Sequence, residues 1–328
     1  MRLLVVTNMY PTNETPSSGT FVQQQVNGLR EIGLKVKVVH VQRVSKGMAA
    51  YWDLGRSLRS ALSEFQADLV HAMYGGVMAD ITVRKVQDRP TVVSFCGSEL
   101  LGEQLSSPIR RLAAQCGVLA SHRAARKASG IVVKSNSLKE ALPSSIDSNK
   151  VRVIPNGIDL KRFKPLDQKK CRELLGWHSD RFHVLFTNNN HNPVKRPELA
   201  KAAVDAARHC GIPAEMHHLS GVVHRDVPIW LNASDVLLVT SVHEGSPNIV
   251  KEALACDLPI ISVDVGDVRE RIHAVAGCHL ARPDASDLAD KLCHVHVGSR
   301  RIAGRDQVAE LSLESISRRL KQFYQDLL

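Results

Sequence analysis

The chain has 328 residues, 44% hydrophobic and 23% charged, which is the balance of a soluble globular protein with room for two domains. Aromatic residues make up only 4%, too few for a base-stacking nucleic-acid surface, and no apolar run approaches the roughly 20 residues that span a bilayer. The net charge of +10 sits in the first half: residues 1–165 hold 23 Lys and Arg against 12 Asp and Glu (+11), and the remainder 20 against 21 (−1). That asymmetry implies a polyanionic partner for the first half, whether a membrane surface, a phosphorylated acceptor or nucleic acid. Seven cysteines, at 96, 116, 171, 210, 256, 278 and 293, lack C-x-x-C pairs. They imply reduced thiols in a cytosolic protein, with neither a zinc site nor a disulfide frame.

The apolar start, Leu3–Thr7, is too short for a signal-peptide core and predicts a first strand. A turn-rich loop, Asn8–Gly19, leads to a helix over Phe21–Ile32 that Gly33 stops. Strand Val36–Val41, helix Leu54–Phe65, strand Leu69–Ala72, helix Gly76–Val86 and strand Thr91–Phe95 follow. A long helix, Ile109–Ala128, precedes strands Ile131–Lys134 and Val151–Ile154. Such alternation predicts a doubly wound parallel sheet. The turn Pro155-Asn156-Gly157 ends it, and a linker is expected to run through Leu175 and Gly176.

The second half repeats the grammar: strand His183–Phe186, helix Glu198–His209, strand Ala214–Leu219, short helix Val227–Leu231 and strand Asp235–Thr240. Helix Ile249–Ala255, strands Leu258–Val263 and Gly277–Leu280, and helix Ser286–Val297 come next, before helical spacing over Asp306–Leu328. Ser241–Ile261 carries the most chemistry. Glu244 falls at a strand's carboxyl edge, Gly245, Ser246 and Pro247 form a turn, and the amides up to Ile249 lie near a helix N-terminus, where anions are favoured. Glu252 follows Glu244 by eight residues, on the helix face of Asn248. Two carboxylates bracketing a phosphate-friendly turn suit a ligand with sugar hydroxyls at both ends and a diphosphate between. The alternative is that Glu244 caps a turn and Glu252 is a solvated helix residue.

With Gly245, Pro247, Ala253, Ala255 and Pro259, this stretch resembles the E-x7-E region of retaining glycosyltransferases of family 4 (group 1), which have the GT-B fold. Ile154-Pro155-Asn156-Gly157-Ile158-Asp159 is similar to that family's domain junction, and the resemblance extends over nearly all of the chain. It implies α/β architecture with two Rossmann-like doubly wound domains facing a cleft: residues 1–165 on the acceptor side, 166–305 for the nucleotide sugar, and a tail helix, 306–328, packed back on the first.

By the same resemblance, Glu244 and Lys195 are the catalytic candidates. Gly19, Gly245, Ser246, Pro247, Asn248, Ile249 and Glu252 hold the donor, with Glu252 on the ribose. Thr20, His71, Cys96, Gly97 and Glu99 fall on the acceptor or sugar side. Read as chemistry alone, His71 is a capped structural histidine and the loop before Thr20 an ordinary strand–helix connection. Five positions depart from the family pattern: Thr20, Asp257 and Asp267 stand where glycines are usual, Cys96 where His is usual, and Asn190 where an Arg neutralises diphosphate beside Lys195. Arg196 is adjacent to Lys195, on a different face.

The implied activity is transfer of a hexose, with retention, from a UDP- or GDP-linked donor to a hydroxyl of a glycan or lipid-linked acceptor in polysaccharide or glycolipid assembly. No D-x-D motif occurs, so no metal and no cofactor are expected. The alternative is a weakened nucleotide-sugar-binding or scaffold protein on the same fold. A nucleic-acid partner is not expected. The expected location is cytoplasmic, with peripheral docking on the inner face of an anionic membrane: the cations of Pro108–Lys139, namely Arg110, Arg111, Arg123, Arg126, Lys127, Lys134 and Lys139, interleave with Leu112 and Leu119. A plain solvated helix face is the other reading of that segment.

Overall fold

A computed structural model of the protein describes residues 1–15, 18–43, 47–102, 108–187, 192–298 and 301–328. It divides into two compact units, Met1–Gly157 with Leu313–Leu328, and Ile158–Ser312. The sequence reading placed these divisions at Pro165 and Asp306; the units part at the glycine of the Pro-Asn-Gly turn and again at Ser312.

The first unit is built on β1 (Arg2–Thr7), β2 (Lys35–His40), β3 (Leu69–Met73), β4 (Thr91–Phe95), β5 (Gly130–Val133) and β6 (Val151–Val153). All pair in parallel, in the order β2-β1-β3-β4-β5-β6. Leu3, Leu4, Val5 and Val6 are fully buried, as expected of a central strand covered by helices on both faces. The second unit has β7 (Phe182–Phe186), β8 (Ala214–His218), β9 (Val236–Val239), β10 (Ile260–Val263) and β11 (His279–Ala281), parallel in the order β11-β10-β9-β7-β8. The strand order reverses between β1 and β3 in one sheet and between β7 and β9 in the other. At such switch points the loops leaving neighbouring strands part and open a crevice at the carboxyl edge.

Two expectations are corrected. The segment read as linker contains a helix, Gln168–Leu175, capped by Asp167, whose Oδ1 accepts from the Lys170 amide at 2.9 Å, and closed by left-handed Gly176. The tail is not one helix but a 3₁₀ segment, Arg305–Leu311, and an α-helix, Leu313–Gln325, that belongs to the first unit. Ile316, Leu320, Phe323 and Tyr324 bury its inner face, and a Cβ on Gly130 would come within 2.6 Å of the Phe323 ring. No helix among the described residues is long and apolar enough to cross a membrane.

Candidate functional site

At the β7/β9 switch point two loops are stitched together. The loop after β7 ends in a 3₁₀ turn, Pro193–Lys195, started by Asn192, whose Oδ1 accepts from the Val194 amide at 3.0 Å. The Val242 amide donates to the Val194 carbonyl at 2.8 Å, and the Thr240 hydroxyl to the Lys195 carbonyl at 2.6 Å. Held this way, Lys195 Nζ lies 2.5 Å from Glu244 Oε1, which also accepts from Ser241 Oγ at 2.7 Å. Both charged side chains keep some solvent access, 24% for Lys195 and 16% for Glu244, so a ligand can reach the pair.

Arg196 has positive φ (51°) and donates to the Thr240 and Ser241 carbonyls at 2.5 and 3.0 Å. Its guanidinium thus secures the end of β9. Asn190 lies outside the described residues.

Gly245, Ser246 and Pro247 are buried beneath the mouth of this edge. Ser246 Oγ donates to Asp267 Oδ2 at 3.0 Å and accepts from Lys251 Nζ at 3.1 Å, while Arg271 Nε holds the same Asp267 oxygen at 3.0 Å. The serine hydroxyl is therefore engaged from below, and the face left to a ligand is backbone. Gly266 (φ 59°) packs against the turn so closely that a Cβ would sit 2.9 Å from the Gly245 carbonyl oxygen. Asn248 and Ile249, half-buried, open the helix Asn248–Ala255.

Glu252, on the same helix, is 8% exposed, and its Oε1 lies 3.1 Å from His224 Nε2. Sequence reasoning passed over His224, which comes from the loop after β8. Its ring meets Phe163 edge-on at 5.4 Å, and Arg162 Nη1 lies 3.5 Å from its Nδ1. The residues after the Pro-Asn-Gly turn thus steady the histidine that steadies Glu252. Asp257 adopts positive φ (54°), and its Oδ1 accepts from the Gly304 and Arg305 amides at 3.0 and 2.9 Å. Those bonds offset the strain of a non-glycine residue in that turn.

The candidates of the first unit form a separate group. Gly19 has φ 66°, and any Cβ there would collide with the backbone of Met9 and Tyr10, so the loop after β1 can fold back only on glycine; Thr20 then begins the helix Thr20–Glu31. His71 is fully buried within β3, its Nδ1 2.7 Å from the Tyr324 hydroxyl and its Nε2 2.8 Å from Ser94 Oγ. Burial, helped by nearby Lys134, pushes its pKa down to about 3, so the ring is neutral. That is the capped structural histidine, and it fastens the tail helix to the sheet.

Glu99 is also turned inward: one oxygen accepts from the Cys96 amide and the other from Gly97 at 2.9 Å. Burial raises its pKa against those amides. Lys134, read from sequence as part of a surface patch, is only 2% exposed. It continues β5 inward, where burial lowers its pKa and Cys96 and Glu99 oppose the shift. Cys96 is half-buried at the end of β4. Gly97 is buried in the turn after it. All seven cysteines are free thiols.

Two doubly wound parallel-sheet units, each with its polar loops at the strand-order switch, are the architecture of the GT-B fold. Residues 15–162 match the family described as Glycosyltransferase Family 4, and residues 189–296 the family described as Glycosyl transferases group 1. The chain is a family 4-like glycosyltransferase. It is 25% identical, over 331 aligned residues and 82% of each chain, to a putative teichuronic acid biosynthesis glycosyltransferase of Bacillus subtilis. Among solved structures it resembles sucrose-phosphate synthase from Thermosynechococcus elongatus (TM-score 0.82, 16% identity, covering 100% of this chain and 99% of that one). It also resembles Anabaena Alr3699/HepE in complex with UDP-glucose (TM-score 0.75, 17% identity, 100% of each chain).

Proposed function

We propose that the protein moves a hexose, with retention of configuration, from a UDP- or GDP-linked donor to a hydroxyl of a glycan or lipid-linked acceptor in polysaccharide or glycolipid assembly. The observation that carries this reading is the Lys195–Glu244 pair at the β7/β9 switch point, beside a backbone-lined turn and a helix that presents Glu252. In this reading the donor diphosphate meets Lys195 and the amides around Asn248 and Ile249. Charge building on the leaving diphosphate is stabilised by that ammonium and the oriented N–H groups, without a metal ion. Glu252, oriented by His224, accepts from the ribose hydroxyls. Glu244 faces the transferred sugar with Gly245, and its carboxylate suits neutral hydroxyls and the positive charge that develops at the anomeric carbon. The biosynthetic role of the Bacillus relative supports a polymer or glycolipid product.

The first unit, with Thr20 on the loop after β1, receives the acceptor in this reading, while Gly19 of the same loop lies toward the donor, and the unit's charge serves docking on anionic lipid at the inner face of the membrane. Leu112 and Leu119 are 63% and 56% exposed on the helix Pro108–Lys127, alongside exposed Arg111, Arg126 and Lys127.

The test is a thermal-shift panel of UDP, GDP, ADP and their sugar conjugates on wild type and Glu252→Ala, followed by turnover in EDTA with the product anomer read by NMR. Donor at about 100 times its Kd stabilises the fold by about 2.7 kcal/mol. A shift with one nucleotide in wild type, lost in the variant, with EDTA-insensitive turnover to the retained anomer, is the expected result. A shift without turnover moves the binding-protein reading to first place; no shift with any nucleotide overturns donor binding.

A further inference from the structure

One polar cluster of the second unit has no part in the chemistry above. On β7 and β8, Phe182, Val184, Phe186, Ala214 and Met216 point into the core, so the alternating residues His183, Glu215 and His217 share the opposite face of the sheet. His183 Nδ1 lies 2.8 Å from His217 Nε2, Glu215 Oε1 lies 3.8 Å from the same His217 nitrogen, and one ligand atom from each of the three falls within 4.8 Å of the others.

The His183 ring is held as a metal-ligating imidazole is. His183 Nε2 is 2.7 Å from the His178 carbonyl oxygen, which can only accept, so Nε2 carries the ring proton and Nδ1 presents its lone pair to His217. His217 lies flat on Trp177, with centroids 3.5 Å apart and planes 11° apart, which sets its ring plane. Moving the His217 proton from Nε2 to Nδ1 needs no ring motion and turns a hydrogen-bonded pair into two converging lone pairs. Tetrahedral nitrogen ligands at about 2.0–2.1 Å from a metal stand about 3.3 Å apart, so an ion requires an opening of about half an ångström. The adjoining cation, Arg172, is neutralised by Asp235, which it grips at 2.7 and 2.8 Å.

We propose that His183, Glu215 and His217 form a binding site for a divalent first-row transition ion, Zn²⁺ foremost, that ties the edge strand β8 to β7. Two imidazoles with one carboxylate suit Zn²⁺, Ni²⁺ or Cu²⁺ rather than Mg²⁺ or Ca²⁺. The Glu215 side chain is 44% exposed, against 12% for His217, so the ion enters from the Glu215 side and keeps water on its remaining position there. The site lies at the start and middle of β7, whereas the loop carrying Lys195 leaves its end. Its occupancy therefore governs the stability of the second unit and leaves transfer insensitive to chelators.

The test uses the full chain with any affinity tag removed, stripped with EDTA and dialysed, then titrated with zinc sulfate by calorimetry and followed by thermal unfolding. Wild type is expected to bind one equivalent and to melt at a higher temperature with zinc. His217→Phe, which keeps the stack on Trp177 and has no ligand nitrogen, is expected to bind at least tenfold more weakly and to show no zinc-dependent shift. Glu215→Gln, on the exposed side, is expected to weaken binding while folding normally, and it carries the test if the first variant does not fold. Absence of a stoichiometric zinc event in wild type, or equal affinity in wild type and variants, overturns the proposal.

Discussion

The two units share one grammar, parallel strands with polar loops at the switch point, and spend their polar residues differently. In the second unit Lys195 and Glu244 hold each other at 2.5 Å where solvent still reaches both. In the first, His71, Glu99 and Lys134 are nearly or fully enclosed, at 0%, 6% and 2% exposure. An ion pair at an open edge can exchange its partner for substrate at modest cost. A buried polar group cannot, because losing its partner leaves it unsatisfied in a low-dielectric interior. The second unit encloses polar groups of its own, Lys251 and Asp267 at 0% and 1% exposure, so on the proposed reading it is the open Lys195–Glu244 edge that carries chemistry, and the enclosed side chains of both units serve architecture.

The largest effect should come from breaking the open pair. On the proposed reading, Lys195→Ala removes the ammonium from beside the leaving diphosphate, and loss of such preorganised stabilisation should lower kcat by about 10²–10³, or roughly 2.7–4 kcal/mol. The melting temperature should stay near wild type, because the lost pair was partly solvated. Steady-state kinetics beside thermal unfolding separates the two quantities; wild-type turnover in this variant would refute the placement of Lys195.

The buried histidine of the first unit should give the converse, a stability effect that depends on pH. Its pKa, about 3 in the fold against 6.5, is depressed by burial first and by Lys134 second. The unfolded chain therefore takes up a proton at this residue below pH 6.5 that the folded chain refuses. Stability from the neutral ring is complete above pH 6.5 and declines, by about 1.4 kcal/mol per pH unit, as the pH drops toward 3. His71→Gln, which cannot titrate, should have a shallower dependence between pH 4 and 6 in urea unfolding, with donor affinity unchanged. An unaltered slope would show that the ring does not remain neutral.

The same contrast explains what could be read from the chain. Strand and helix order was legible because apolar runs such as Leu3–Val6 and Val236–Val239 punctuate it; Glu244 and Glu252 stood out from the strand–turn–helix pattern as well as from the E-x7-E resemblance, whereas Lys195 was singled out by the family resemblance alone. His224 was not: it joins Glu252 across 28 residues of chain, with no periodicity to mark it. Lys134 read as one more surface cation because sequence shows charge and not depth. The helix Gln168–Leu175 was missed although its signals, Asp167 before it and Gly176 after it, are plain; the expectation of a linker outweighed them.

The smallest effect concerns charge on the outside of the first unit. Residues 1–165 carry +11 and the rest −1. The helix Pro108–Lys127 exposes Arg111, Leu112, Leu119, Arg126 and Lys127 along one broad face. Neutralising one such residue, as in Arg111→Gln, should cost about 1 kcal/mol of partitioning onto anionic lipid, about a fivefold change, and the loss should shrink as salt screens the attraction. Co-sedimentation with phosphatidylglycerol vesicles at two ionic strengths reads it, with Arg208→Gln on the second unit as the matched control. Equal losses from both substitutions would mean that the charge asymmetry between the units has no bearing on where the protein docks.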